Sequence, residues 1–401
     1  MQEDFHYYAT YCAAYIAGYS HEESLDIAYS AQFVDVCSRT LLAKIKGPSD
    51  AATTQLQLEL MDARTDRVGL QDITRIWSSF HFLPRDLNAV REKCTKGYRN
   101  KYRLICGPNG ELVKKTVDLA KDKPVQSVGI AMHVLADTWA HANFAGTPSL
   151  VINNTNYLFY ELFPEGDGYR EQQIRFRHST SVPDDLENSI YTNSLYQSSE
   201  NSIMNLGHGR AGHLPDYSFV RYRYLPAWGE YEEIIKDNPR DYINAFTQMI
   251  HAMKCIRGVK GPFETETYDM EAIEPWLDRI KGIIGKRQIL ASDDWKAFGE
   301  ELSGQSIEDF EIDRYFNEYT SVLKERKDDT FIGKFILGAL AHKGMVINEI
   351  FKTGNKLAGV VKQNSVTGKT AEDEQQEDVA EQSSVTGKTA EDELKEEAAE
   401  Q

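Results

Sequence analysis

The chain has 401 residues, 41% of them hydrophobic and 27% charged, and a formal net charge of −17, which is length enough for a substantial buried core. About half of that negative charge lies in the tail from Asn364, where 12 acidic residues face 3 lysines; the remainder is mildly acidic, which argues against a broad basic surface and a stable nucleic-acid complex. Five cysteines with no CxxC spacing argue against a cysteine zinc site or a disulfide framework, and with no apolar run near the roughly 20 residues of a membrane span and no signal-peptide pattern the expectation is a cytoplasmic protein that is not transmembrane.

Periodicity predicts a first helix over Asp4–Ala17, carrying His6 and ended by Gly18. Ser20-x-x-Glu23 reads as a capping box opening a second helix that runs to about Lys46, before Gly47-Pro48. Asp35 falls in the apolar phase of that helix, where a carboxylate requires a cation or several donors; Arg39, one turn on, is one candidate partner. Ser49–Leu70 is polar and without a fixed pattern. His81 stands between Phe80 and Phe82 just before Pro84, the setting of either a ligand or a satisfied core histidine. Gly107-Pro-Asn-Gly110 is a turn signal, and a short hairpin within Gly97–Ala120 is compatible with it.

Ala131–Gly146, after Pro124, is the densest signal. His133, Asp137 and His141 follow at i, i+4 steps on an otherwise apolar helix, so all three side chains share one side. Two imidazoles and a carboxylate suit zinc. A loop-rich, Tyr- and Asn-rich region extends to about Ser202. It leads into Gly207-His208-Gly209-Arg210-Ala211-Gly212-His213-Leu214-Pro215-Asp216, where glycines permit close backbone approach to a ligand and Arg210 is available for an oxyanion. Five further helices are expected, over Asp241–Arg257, Glu271–Lys286, Asp293–Leu302, Ile307–Lys327 and Phe331–Val361, with His251 and His342 read as structural. In the tail, Ser365–Glu374 recurs unchanged at Ser384–Glu393, 19 residues on. Its composition predicts disorder, and its Gly-Lys-Thr lacks the earlier glycine of a phosphate loop.

The ordered set His6, Asp35, His81, His133, Asp137, His141, then His208 or His213 with Asp216, resembles the zinc-dependent phospholipase C and fungal single-strand nuclease superfamily. FHYYATY, AGYSHEES…AQFVD and GHGRAGHLPD are closer still to an uncharacterised bacterial family within it. The resemblance implies an all-helical fold with two or three zinc ions in a cleft. Asp35, His81, His133 and Asp137 would surround one ion; Asp137 would bridge to a second, also bound by His6; His141 would hold the remaining one with the late histidine and Asp216. Two departures stand out. Those enzymes begin with a tryptophan whose amine binds zinc, whereas here Met1 or Asp4 would take that place; and their third anchor ligand follows the aspartate by six residues rather than by the four seen here.

The reading is therefore all-α: a multi-helix bundle around a buried multinuclear metal cleft, with long loops. A metal-binding domain would span 1–362, with its metal core mainly in 1–220 and a helical extension over 221–362, and 363–401 would form a disordered acidic tail. The implied activity is zinc-dependent hydrolysis of a phosphate ester, phospholipid or nucleic acid. Asp35, Asp137 and Arg210 would be catalytic, and the metal ligands would come from Asp4, His6, Asp35, His81, His133, Asp137, His141, His208, His213 and Asp216. The competing reading is a non-catalytic, zinc-stapled helical module whose acidic tail recruits a protein partner.

Overall fold

Ser20 caps the first long helix in the way its sequence predicts. Its Oγ accepts from the Glu23 N–H at 3.2 Å, and its own N–H donates to Glu23 Oε2 at 2.9 Å. The computed structural model describes residues 1–63, 67–156, 158–177, 182–193 and 206–355. The acidic tail over 363–401, the last residues of the Phe331–Val361 helix and the end of the loop expected to reach Ser202 lie outside the described residues.

The helices are α1 (Thr10–Ile16), α2 (His21–Val36), α3 (Arg39–Lys44), α4 (Gln57–Ala63), α5 (Arg67–Phe80), α6 (Lys96–Tyr102), α7 (Glu111–Ala120), α8 (Val125–Ala140), α9 (Leu150–Asn153), α10 (Asn238–Ile256), α11 (Leu277–Gly285), α12 (Ser292–Ser303), α13 (Phe316–Ser321) and α14 (Phe331–Lys352). A π-helical stretch, Asp4–Ala9, leads into α1. The helix expected to reach Lys46 breaks after Val36, because Ser38 caps a new one by accepting from the Leu41 N–H. The Gly107–Gly110 turn joins α6 to α7 and closes no hairpin. The helix expected over Ile307–Lys327 is reduced to α13 and a 3₁₀ turn, Lys324–Asp329.

The all-α expectation is overturned. The strands β1 (Tyr160–Glu165), β2 (Gly168–Gln173), β5 (Arg221–Tyr224) and β6 (Ile234–Asp237) form an antiparallel sheet in the order β2-β1-β5-β6, and β3 (Arg175–Arg177) pairs with β4 (Ile190–Thr192) in parallel, so the fold is mixed α and β. Period-two patterning explains β5. Tyr222 and Tyr224 are fully buried on one face, while Arg221 and Arg223 reach Asp237 at 2.9 Å and Glu171 at 2.7 Å on the other. Aromatic and polar residues at loop-like density concealed this alternation.

Two cores result. The larger is helical and draws on residues from Met1 to Ile350. The smaller lies under the sheet and includes Phe82, Phe144, Tyr191, Tyr222 and Tyr224. α8 is apolar nearly all round and is enclosed by α2, α7, α10 and α14. Its end is tied to the sheet by Lys236, whose ammonium donates to the Trp139 carbonyl at 2.7 Å and to Asp241 at 2.6 Å, a cation where the helix dipole favours one. Among the described residues, no helix is long and apolar enough to cross a membrane.

The α2–α8 contact depends on Gly129. A Cβ there would lie 2.4 Å from the Ile27 carbonyl oxygen and 2.5 Å from Ser30 Cβ, so any side chain forces the two helices apart. Gly129→Val is expected to cost about 2–3 kcal/mol. Urea denaturation of the purified variant checks this; a midpoint equal to wild type would refute the close-packing account.

Candidate metal centre

Asp137, one turn before the end of α8, is the hub. Its Oδ1 accepts from the Met1 amino group at 2.7 Å and lies 3.1 Å from His6 Nε2. Its Oδ2 is 3.2 Å from His133 Nε2, 3.3 Å from His81 Nδ1 and 3.5 Å from His141 Nδ1. Asp137 is 1% exposed, and a lone carboxylate could not remain ionised at that depth. Burial pushes it toward the neutral form, but His141, the Met1 ammonium, His133 and His6 outweigh burial and hold it well below the usual carboxylate range.

Each further residue arrives on a different element. The π-helical turn delivers His6, whose ring stacks on that of His133 at 3.9 Å; such widened turns are rare and recur at functional sites. α2 supplies Asp35, 3.7 Å from His81 Nδ1 and 3.9 Å from His133 Nε2. Arg39 is turned away to Asp72, so the salt bridge considered for Asp35 does not form. His81 follows the end of α5. Asp216 sits on a 3₁₀ turn clamped by α10, with Tyr242 donating to its carbonyl at 2.8 Å and Asn238 Nδ2 donating to Leu214 and Tyr217 carbonyls at 2.8 Å.

Three sets of ligand-type atoms converge: His6, His133 and Asp137; Asp35, His81 and His133; and His141, His208 and Asp216. Each could hold a metal ion. His133 belongs to two of them, and Asp137 touches residues of all three. His208 therefore takes the place beside His141, with its Nε2 3.7 Å from Asp216 Oδ2. His213 reaches the same oxygen at 3.4 Å from the rim, 55% exposed. Asp4 is not brought into the cluster; its carboxylate caps the Ala291 and Phe5 N–H groups at 2.9 and 2.8 Å. The Met1 amino group stands there instead, 3.3 Å from Asp216 Oδ1 and 3.2 Å from His141 Nε2. Burial opposes its charge, yet Asp137 and Asp216 raise its pKa to about 11. Arg210 is buried in the same turn as His208, its carbonyl accepting from Asn193 at 3.4 Å.

Hydrogen bonds to backbone carbonyls decide the tautomers. His81 Nε2 donates to the Thr53 carbonyl at 3.0 Å, His141 Nδ1 to the His81 carbonyl at 2.8 Å, and His208 Nδ1 to the Gly212 carbonyl at 2.8 Å. A carbonyl only accepts, so those nitrogens carry the protons, and in the neutral rings His81 Nδ1, His141 Nε2 and His208 Nε2 are bare lone pairs. His208, whose pKa burial lowers to about 4, turns its lone pair toward Asp216 Oδ2, which is repulsive unless a cation lies between. His6 Nδ1 and His133 Nδ1 are buried without a partner, and burial, with neighbouring charge, lowers both rings to about 4, leaving them neutral at pH 7. Neutral imidazoles oriented through the far nitrogen, beside buried carboxylates, are the donor set of a metal site. The residues fit the group.

Gly212 is required for this. It has φ +56°, and a Cβ would lie 2.1 Å from the Thr192 carbonyl oxygen. The sequence singled out the glycine-rich loop but could not register the carbonyls of Thr53, His81 and Gly212, which carry no residue-type signal.

The family model for a family of unknown function, DUF6765, matches residues 1–350. The chain belongs to that family. No curated protein and no solved structure matches it.

Two outcomes are expected. Asp137→Ala should strip metal from more than one set, whereas Asp216→Ala should spare the two sets lacking Asp216; metal analysis of both variants checks this, and equal losses would contradict the hub. In metal-free protein, His6 and His133 resist protonation when folded but accept it near the ordinary 6.5 when unfolded. Stability therefore falls as pH drops from about 6.5 toward 4. Asp4, raised by burial to about 6, works in the opposite direction, and two histidines outweigh it. Denaturation midpoints that are no lower at about pH 5 than at pH 7 would count against the neutral-ring assignment.

Proposed function

We propose that this chain is a zinc-dependent hydrolase acting on phosphate esters. The observation that carries the reading is the set of imidazole lone pairs aimed at buried carboxylates. Nitrogen and carboxylate donors without thiolates favour zinc over harder cations, which prefer all-oxygen sites. The His133 lone pair can serve only one ion, so the three sets offer two or three protein ligands apiece; a three-ligand zinc site keeps a position open, whereas a structural one closes with four. That favours catalysis over the zinc-stapled module.

Zinc bound in such clusters supplies Lewis acidity, lowering the pKa of water toward neutrality and neutralising phosphoryl charge. The chain's own groups do the rest. Asp35 has a side chain 29% exposed, whereas Asp137 is enclosed, so Asp35 is the carboxylate at the open edge that can orient a water and take its proton. Burial raises its pKa, against the fields of His6 and His81, which brings it toward a useful base strength. Asp137 holds His6, His81, His133 and His141 in register. Arg210, in the turn that carries His208, is the candidate for binding phosphoryl oxygens.

Protein purified without chelator should carry about two or more zinc ions per chain and hydrolyse at least one member of a panel of phosphodiesters, phospholipids and single-stranded nucleic acid. Asp35→Asn should keep zinc in the set of His141, His208 and Asp216 and lose roughly 100-fold in kcat with little change in KM. Less than about one zinc per chain sinks the metal reading; a zinc-loaded protein inert on the whole panel sinks the hydrolase and favours the structural module.

A further inference from the structure

A cavity of about 280 Å³ opens between α7, α8 and α14, and none of the metal-ligand residues lines it. Leu119, Ile130 and Leu337 give it apolar walls, and Lys123, Lys334, Ser127 and His342 its polar groups. The water-sized unit of about 30 Å³ makes this room for roughly nine or ten heavy atoms.

The polar groups are unspent. Neither the Lys123 nor the Lys334 ammonium group makes an ion pair or hydrogen bond among the described residues, although the field of Lys334 reaches Asp26. The Ser127 hydroxyl likewise has no hydrogen bond. His342 is 3% exposed, and its Nε2 donates to the Ser79 carbonyl at 2.8 Å. That fixes the proton on Nε2 and leaves Nδ1 as a lone pair with no hydrogen bond among the described residues; burial holds the ring neutral, with its pKa lowered to about 4. Nδ1 can accept a hydrogen bond from an occupant of the cavity, and the ammonium groups of exposed Lys123 and half-buried Lys334 are available to pair with an anion.

We propose that this cavity is a binding site for a short aliphatic hydroxycarboxylate of about six carbons. The carboxylate pairs with Lys123 and Lys334, the chain lies on Leu119, Ile130 and Leu337, and the hydroxyl donates to His342 Nδ1. Cavities of this kind, mostly apolar with a few converging polar groups, are the usual form of small-molecule sites. The proposal does not depend on the hydrolase reading, because binding here involves no metal ligand.

Calorimetry on the full chain as purified, with 3-hydroxyhexanoate, hexanoate and hexylamine, tests it. Hydroxyhexanoate should saturate one site, hexanoate should bind about tenfold more weakly, and hexylamine should not bind. Lys123→Met with Lys334→Met should weaken the acid at least about tenfold. Ala341→Trp, at an exposed lining position, should fill the cavity and abolish binding with zinc content unchanged. Absence of binding by either acid at about 10 mM, binding of hexylamine as tight as that of the acids, or indifference to both sets of substitutions overturns the proposal. The comparison of acids with amine is made on wild type, so it decides even if a variant fails to fold.

Discussion

The buried carboxylate of Asp137 governs how this fold can exist. Four imidazoles and an ammonium group lie within 3.5 Å of it, delivered by the N-terminal segment, the end of α5, and α8 with its cap. An ionised aspartate at 1% exposure is tolerable only while they remain. The elements therefore depend on one another through their charges as well as their packing. The π-helical turn must present His6, α5 must end where His81 can turn inward, and the Asp216 loop must be clamped by Tyr242 and Asn238.

The centre also explains why two cores meet where they do. His81 is followed by Phe82, and His141 precedes Phe144 by three residues; both aromatics belong to the core under the sheet. α8 itself belongs to the helical core. The ligands thus lie on the seam between the two, where neither needs a continuous apolar surface. Carbonyls freed just beyond helical segments, such as those of Thr53, His81 and Gly212, would be costly elsewhere. Here they are satisfied by the imidazole N–H groups, and the same bonds aim the opposite nitrogens at the cluster.

Much of the cluster was legible because imidazole and carboxylate at helical spacing are chemically conspicuous. His133, Asp137 and His141 lie on or just beyond one helix, and the capping box placed Asp35 correctly along α2. The failures share a cause. Asp4 and the Met1 amine differ by less than a helical turn, and periodicity cannot tell which of them turns inward. The choice between His208 and His213 depends on the left-handed bend at Gly212. The sheet was missed because its strands are short and its inward residues are tyrosines, which also mark loops; only the Arg-Tyr-Arg-Tyr alternation of β5 betrayed it.

The Met1 amino group connects charge balance with metal loading. Between Asp137 and Asp216 it is a cation, with its pKa raised to about 11, and it neutralises in part what would otherwise be three converging carboxylates. A metal ion entering that space competes with this ammonium for the same oxygens, and using its nitrogen as a ligand requires expelling its proton. His6 and His133, already neutral, have no such proton to lose. The set of Asp35, His81 and His133 is thus prepared for a metal ion, while the sets containing Asp137 or Asp216 must first give up an ion pair with Met1. Filling of the cluster should accordingly be ordered, beginning on the side of Asp35 and His81.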